Sequence, residues 1–128
     1  MADLRDRLRE EVLLADGATG SYFQSLDLDV ERDYLGQENC TEILIESRPD
    51  LVRDLHRTFL AAGADMVTTN SFGGSPITLA EFGLEDKAPF LNRRAAELAR
   101  EVIEEFSGDG RDRYVLGSIG PGTKLPSL

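Results

Sequence analysis

The sequence predicts an α/β fold in which short parallel strands alternate with amphipathic helices. Three compact runs rich in β-forming residues lie at Val12–Ala15, Asp65–Asn70 and Tyr114–Ile119, and the stretches between the later runs repeat apolar residues at helical spacing. Strands of this kind separated by amphipathic helices signify parallel β/α units. Each run also ends in glycine or small polar residues: Asp16-Gly17, Asn70-Ser71 and Ser118-Ile119-Gly120. In parallel sheets the chemistry sits at the carboxyl ends of the strands, so three such ends in register would line one mouth.

The elements follow in order. Residues 3–10 read as a short polar helix, and Val12-Leu13-Leu14-Ala15 as a buried strand that stops at a tight loop, Asp16 to Gly20. Ser25 to Cys40 has mixed charge and no period, which predicts a long connection with short helical turns. Ser47-Arg48-Pro49-Asp50 is a helix start, with Ser47 able to cap, Asp50 to complete a capping box and Pro49 tolerated in the first turn. Leu51, Leu55 and Phe59 then recur on one face, joined by Val52 and Leu60, and Gly63 is placed to end the helix. After the Asp65–Asn70 strand and its Ser71–Ser75 loop, a short helix is expected from about Pro76 to Phe82, closed by Gly83. A longer helix from about Asp86 to Phe106 carries the stripe Leu91, Ala95, Leu98, Val102 and Phe106. The strand at Tyr114 to Ile119 is followed by Gly120-Pro121-Gly122 and a bare loop, Pro126-Ser127-Leu128.

Composition narrows the function classes. A chain of 128 residues, 41% hydrophobic and 30% charged, suffices for one globular domain. The formal net charge of −10 repels phosphate backbones and anionic lipid, which argues against nucleic acid and membrane surfaces as partners. No run is long and apolar enough to span a bilayer, and Met1 to Glu10 is a charged amphipathic stretch without the apolar core of a signal peptide, so a cytoplasmic location is expected. Cys40 is the only cysteine and His56 the only histidine, so neither a disulfide nor a Cys-rich or His-rich metal site can be assembled within the chain.

The strand ends carry a family resemblance. Leu14-Ala15-Asp16-Gly17-Ala18-Thr19-Gly20 resembles the first-strand motif of the homocysteine S-methyltransferases. Arg48-Pro49-Asp50-Leu51-Val52 with His56 resembles their second motif, and Ala62-Gly63-Ala64-Asp65 with Thr69-Asn70-Ser71-Phe72 their second-strand motif. Gly117-Ser118-Ile119-Gly120-Pro121 resembles the third. The segments Asn39 to Leu44 and Gly120 to Pro126 are most similar to the folate- and cobalamin-dependent methionine synthases within that family. The resemblance implies a TIM (β/α)8 barrel, of which residues 1–128 would form the N-terminal portion, about three β/α units out of eight. It also implies methyl transfer to the homocysteine thiol. Zinc held by three cysteine thiolates on later strands and cobalamin on another module would serve the full-length family, and neither is ligated by residues of this chain. Homocysteine, the remaining barrel strands, and cobalamin and folate modules are the partners so implied.

Carried over onto this sequence, the resemblance assigns Asp16, Gly17 and Ala18 to homocysteine. A carboxylate would meet the ammonium group, and exposed backbone N–H groups would meet the substrate carboxylate. Thr69 and Asn70 would bond substrate or hold the Asp16 loop. No residue of the chain is assigned a catalytic or metal-binding role. His56 and Cys40 are read as packing residues, Glu42 and Glu46 as solvated carboxylates, Lys124 as a solvated lysine, and Gly73-Gly74 as loop geometry rather than a phosphate cradle. Two other readings stay open: a small β/α binding or partner-assembled protein without catalysis of its own, and a different TIM-barrel enzyme sharing these loops. Ending on a bare loop without a covering helix favours a segment of a larger barrel over the first. The lack of a His, Lys or Glu cluster at the strand ends argues against the second.

Overall fold

Asp3 opens the first helix by accepting from the Arg5 N–H. In the computed structural model, which describes residues 1–124, this helix, α1, runs Leu4–Glu10. It buries none of its residues and is docked by polar contacts: Arg7 donates to the Asp112 carbonyl at 2.8 Å, and the Tyr114 hydroxyl donates to the Ala2 carbonyl at 2.7 Å. A one-turn helix, α2 (Gly20–Gln24), follows the first loop and plants Phe23 in the core.

Residues 25–40 form turns, with Asp27, Leu35 and Asn39 in the left-handed region that L-residues seldom occupy. Buried Asp33 organises them. Its carboxylate accepts the Asp29 N–H and both Arg32 and Arg48, whose nearest approaches are 2.9, 2.9 and 2.7 Å. A 3-10 turn at Thr41–Ile43 leads into α3 (Leu44–Ser47) and then α4 (Pro49–Ala61).

The expected capping box is not formed. Arg48 is the cap residue of α4 and makes no side-chain cap bond, while Ser47 donates to the Asp33 and Ile43 carbonyls. Competition explains this: the buried Asp33 segment offers Ser47 an acceptor, and Asp50 pairs with Arg48 at 3.0 Å. Gly63, at φ +109°, breaks the chain away just past α4.

β1 (Met66–Thr68) and β2 (Tyr114–Leu116) pair in parallel, Val67 opposite Val115. Between them lie α5 (Pro76–Leu79), a 3-10 turn ended by Gly83, and α6 (Ala88–Glu105). The strands are shorter than expected. Beyond Leu116 the chain turns outward, and Ile119 is 93% exposed.

The Val12–Ala15 strand is reduced to one parallel bridge, Ala15 with Met66, and it is not buried: Val12 and Leu14 are 89% and 59% exposed. The backbone is nevertheless aligned with β1, since Met66 donates to the Leu14 carbonyl and Asp16 donates to the Met66 carbonyl. Among the described residues only β1 pairs with this edge, so the outward side chains of Val12 and Leu14 stay exposed. The order across the sheet is therefore Ala15, β1, β2, all parallel.

The helices cover one side. α4 packs on α6 through Val52, Leu55 and Leu60 from the first and Leu91, Leu98 and Val102 from the second, all buried. Arg53–Glu101 and Arg57–Glu105 pairs bridge the same helices at 3.0 and 2.7 Å, where partial exposure keeps their contribution small. The loop read at Pro126-Ser127-Leu128 lies outside the described residues.

Candidate functional site

The three strand ends meet in one cleft of about 380 Å³, lined among others by Asp16, Gly17, Thr68, Thr69, Asn70 and Ser118. A hollow of about 450 Å³ on the flank of α6, lined by Ala96, Arg100 and Val115, gathers no strand end. The cleft at the mouth is therefore the candidate site.

Asp16 is placed by the register of the first bridge. Because Ala15 pairs with Met66, the next side chain falls beside the end of β1, and Asp16 accepts there from both the Thr68 N–H and the Thr68 hydroxyl, each at 2.8 Å. Each carboxylate oxygen keeps a lone pair free, so Asp16 is fixed in direction and still able to take a cation. Gly17 rests on the Phe59 ring of α4: a Cβ at Gly17 would lie 3.1 Å from that ring. Its φ is not in the left-handed region, so glycine serves here by close approach, and a Cβ would make the Phe59 ring give way by a few tenths of an ångström. Among the described residues neither the Gly17 nor the Ala18 N–H has a hydrogen-bond partner. Gly17 lines the cleft, and Ala18 is exposed outside the lining.

Thr69 and Asn70 are buried and hold the neighbouring walls, whereas Thr68 holds the Asp16 loop. The Ser118 N–H donates to the Thr69 hydroxyl at 2.9 Å, and the Ser71 hydroxyl donates to the Ser118 carbonyl at 2.9 Å. Ser71 has one proton and spends it on that carbonyl, so in the 2.7 Å contact between the two hydroxyls Thr69 is the donor. This closed ring locks the ends of β1 and β2 together. Asn70 donates to the Thr41 carbonyl at 2.9 Å and ties in the 3-10 turn before α3.

The family model described as Homocysteine S-methyltransferase matches residues 13–128. The chain belongs to the homocysteine S-methyltransferase family. Two mycobacterial relatives, the methionine synthases of Mycobacterium tuberculosis and Mycobacterium leprae, are each 44% identical over 126 residues, covering 98% of this chain. The chain spans only about a tenth of the length of those relatives (10% of each). The crystal structure of the homocysteine methyltransferase MmuM from Escherichia coli in its metallated form superimposes with a TM-score of 0.74 at 26% identity, over 92% of this chain and 41% of that one. Its oxidized form gives 0.75 at 26% identity, over 91% and 40%.

Against that family background, two residues of the mouth stand out that sequence reasoning missed. Thr68 carries no motif signal; its role follows from strand register. Glu42, expected to be solvated, is only 7% exposed and lines the same cleft. The physical reason is the 3-10 turn at Thr41–Ile43, which points Glu42 inward to accept the Gly73 N–H at 2.7 Å. Glu46 keeps the expected outward position and pairs with Lys87 at 2.9 Å. Gly73 and Gly74 are closely approached: a Cβ would meet the Glu42 carboxylate at 2.9 Å in the first and Asn92 at 2.7 Å in the second, so either side chain would have to shift.

The two soft side chains are sealed. Cys40 is fully buried and burial pushes its thiol pKa up, away from the reactive thiolate. His56 is fully buried with both ring nitrogens unpartnered, and burial lowers its pKa to about 4 against the opposing pull of Asp16. Among the described residues no three His, Cys, Asp or Glu side chains converge to hold a metal ion, and no helix is long and apolar enough to cross a membrane.

Gly120 lies behind the loop that carries Phe72. Its N–H donates to the Phe72 carbonyl at 3.1 Å, and a Cβ at Gly120 would stand 2.2 Å from that oxygen. Gly120→Ala must push two backbone segments apart, so a loss of about 2 kcal/mol is expected in urea unfolding. An unchanged midpoint would mean the loop yields freely.

Proposed function

We propose that residues 1–128 form the N-terminal portion, about three β/α units, of an eight-stranded barrel that methylates homocysteine to methionine. The single observation that carries this reading is the mouth: Asp16, aimed by Thr68, stands beside the unpartnered Gly17 N–H in the cleft lining, with the unpartnered Ala18 N–H next to it outside that lining. A carboxylate next to free N–H donors is complementary to an α-amino acid, whose ammonium and carboxylate would meet Asp16 and the Gly17 and Ala18 amides respectively. Thr69 and Asn70 serve the same ligand from the cleft wall, chiefly by holding the loops that shape it.

Methyl transfer needs the homocysteine thiol to lose its proton. The thiolate sulfur then forms a bond to the methyl carbon while the bond to the donor breaks with its electron pair. Zinc, in the full-length family, would supply the thiolate, but the residues present here do not fit it. The one thiol, Cys40, is buried and protonated, and the one imidazole, His56, is sealed in the core. Cobalamin likewise finds no exposed imidazole, since His56 is the one histidine of the sequence and is fully buried. This segment binds and orients the amino acid; activation of sulfur and delivery of the methyl group belong to other parts of the protein, with methylcobalamin reloaded from methyltetrahydrofolate as the donor. The reading places the protein in the cytoplasm.

The test is ligand binding by calorimetry in the protein as its gene encodes it. Asp16→Asn preserves shape and removes charge, and should weaken L-homocysteine about tenfold to a hundredfold while leaving 4-mercaptobutyrate, which lacks the ammonium, unaffected. Equal losses for both ligands, or none for either, would remove Asp16 from the ammonium site.

A further inference from the structure

We propose that Glu42 is a positioning residue which, by latching Gly73, sets Phe72 as the apolar wall against the thiol-bearing side chain of the amino acid. The inference rests on the reading above that the mouth takes homocysteine.

Phe72 is 65% exposed, yet it lines the mouth with Asp16 and Thr68. Its backbone is bracketed on both sides. The Phe72 carbonyl accepts the Gly120 N–H at 3.1 Å, and the next N–H, that of Gly73, donates to Glu42 at 2.7 Å. Two residues earlier, Asn70 donates in the other direction, to the Thr41 carbonyl at 2.9 Å. The turn bearing Glu42 and the loop bearing Phe72 are thus cross-tied in both senses, and the aromatic ring projects from the segment between the ties. Gly73 fits this use: a Cβ there would lie 2.9 Å from the Glu42 oxygen, so any larger residue would displace the carboxylate from its present position on the backbone.

The side chain also has nothing stronger to do. Among the described residues the second oxygen of Glu42 accepts only from the Cys40 thiol, at 3.9 Å. A carboxylate 7% exposed and spent on one backbone amide is a costly way to hold a surface loop. It is a sensible way to fix a loop whose aromatic must stand at a set height over a ligand. An amino acid anchored at Asp16 and the Gly17 amides extends its methylenes and sulfur across the cleft, where an apolar face is the complementary surface.

The experiment is a double-mutant cycle on L-homocysteine affinity, with amide hydrogen exchange read on the same proteins. Glu42→Ala should weaken binding about tenfold, Phe72→Ala by a similar factor, and the double variant no more than either alone. Glu42→Gln, which keeps an acceptor for the Gly73 N–H, should restore affinity. Exchange of the Phe72–Gly74 amides should quicken at least about tenfold in Glu42→Ala and stay slow in Glu42→Gln. Additive losses, or unchanged affinity in a folded Glu42→Ala protein, would overturn the inference while leaving the homocysteine reading intact. If wild-type protein does not bind homocysteine, the functional reading falls and the ligand-directed role of Glu42 with it, whereas the exchange data still decide whether the latch exists.

Discussion

Asp33→Ala is expected to open residues 25–40 to protease roughly a hundredfold faster than wild type, at conditions where the rest of the chain stays folded. This segment has no regular structure and few ways to hold itself. Asp33 gathers the Arg32 guanidinium, the Asp29 N–H and the Arg48 guanidinium around one buried carboxylate, and those contacts keep its pKa well below the usual carboxylate range. Arg48 is at once the cap residue of α4, so the same carboxylate ties the irregular connection to the first long helix. Removing it leaves two guanidinium groups without their shared partner and the Asp29 N–H without its acceptor. Because the folded-state pKa is depressed, this contribution is present above the ordinary aspartate pKa and fades as pH falls below it. Limited proteolysis followed by mass spectrometry reads the site of cutting directly. Cutting spread evenly over the chain, or no faster than wild type, would show that Asp33 is not the organiser.

The fold was legible where apolar spacing decides it. The stripes Leu51–Leu60 and Leu91–Phe106 become the faces by which α4 and α6 meet, and the glycines at 63 and 83 take the positive φ their places after helices suggested. Short strands were harder. An apolar run such as Val12–Ala15 signals a strand, but whether it pairs fully depends on neighbours that no local pattern encodes, and here only one strand lies beside it. The Ser47 cap failed for a related reason: a local motif was outcompeted by a tertiary acceptor fourteen residues away in sequence.

The candidate site divides along the same line. That three strand ends share a cleft follows from parallel topology and was readable from Asp16-Gly17, Asn70-Ser71 and Ser118. Which side chain supports which was not. Thr68 holds Asp16 because of strand register, and Glu42 turns inward because a 3-10 turn redirects it; both are long-range facts. Thr69 and Ser71 gave no hint that their hydroxyls form a ring with Ser118, since hydroxyl partners are chosen by three-dimensional proximity.

Lowering pH from about 6.5 to about 4 is expected to remove ~3 kcal/mol of folding stability through His56 alone. The imidazole is buried on α4 with neither nitrogen bonded, so the folded protein holds it neutral and its pKa is lowered to about 4. In the unfolded chain it binds a proton near its ordinary value of 6.5. Between those values the unfolded state takes up more protons, so stability must rise with pH up to about 6.5 and level off above it. The nearby Asp16 charge pulls the other way without reversing the effect of burial, which is the larger cause. His56→Leu, of similar volume, has no proton to take up and leaves no orphaned nitrogen. It should flatten the slope between pH 4 and 6.5 and hold or raise stability at pH 7. Carboxylates with depressed pKa values, among them Glu101, Glu105 and Asp109, add a slope below about pH 5 that both proteins share, so the difference between the two curves isolates His56. Urea unfolding of both proteins at a series of pH values gives the two slopes. A wild-type curve as flat as that of His56→Leu would mean that His56 finds a hydrogen-bond partner in the folded protein, one that keeps its pKa near the ordinary value.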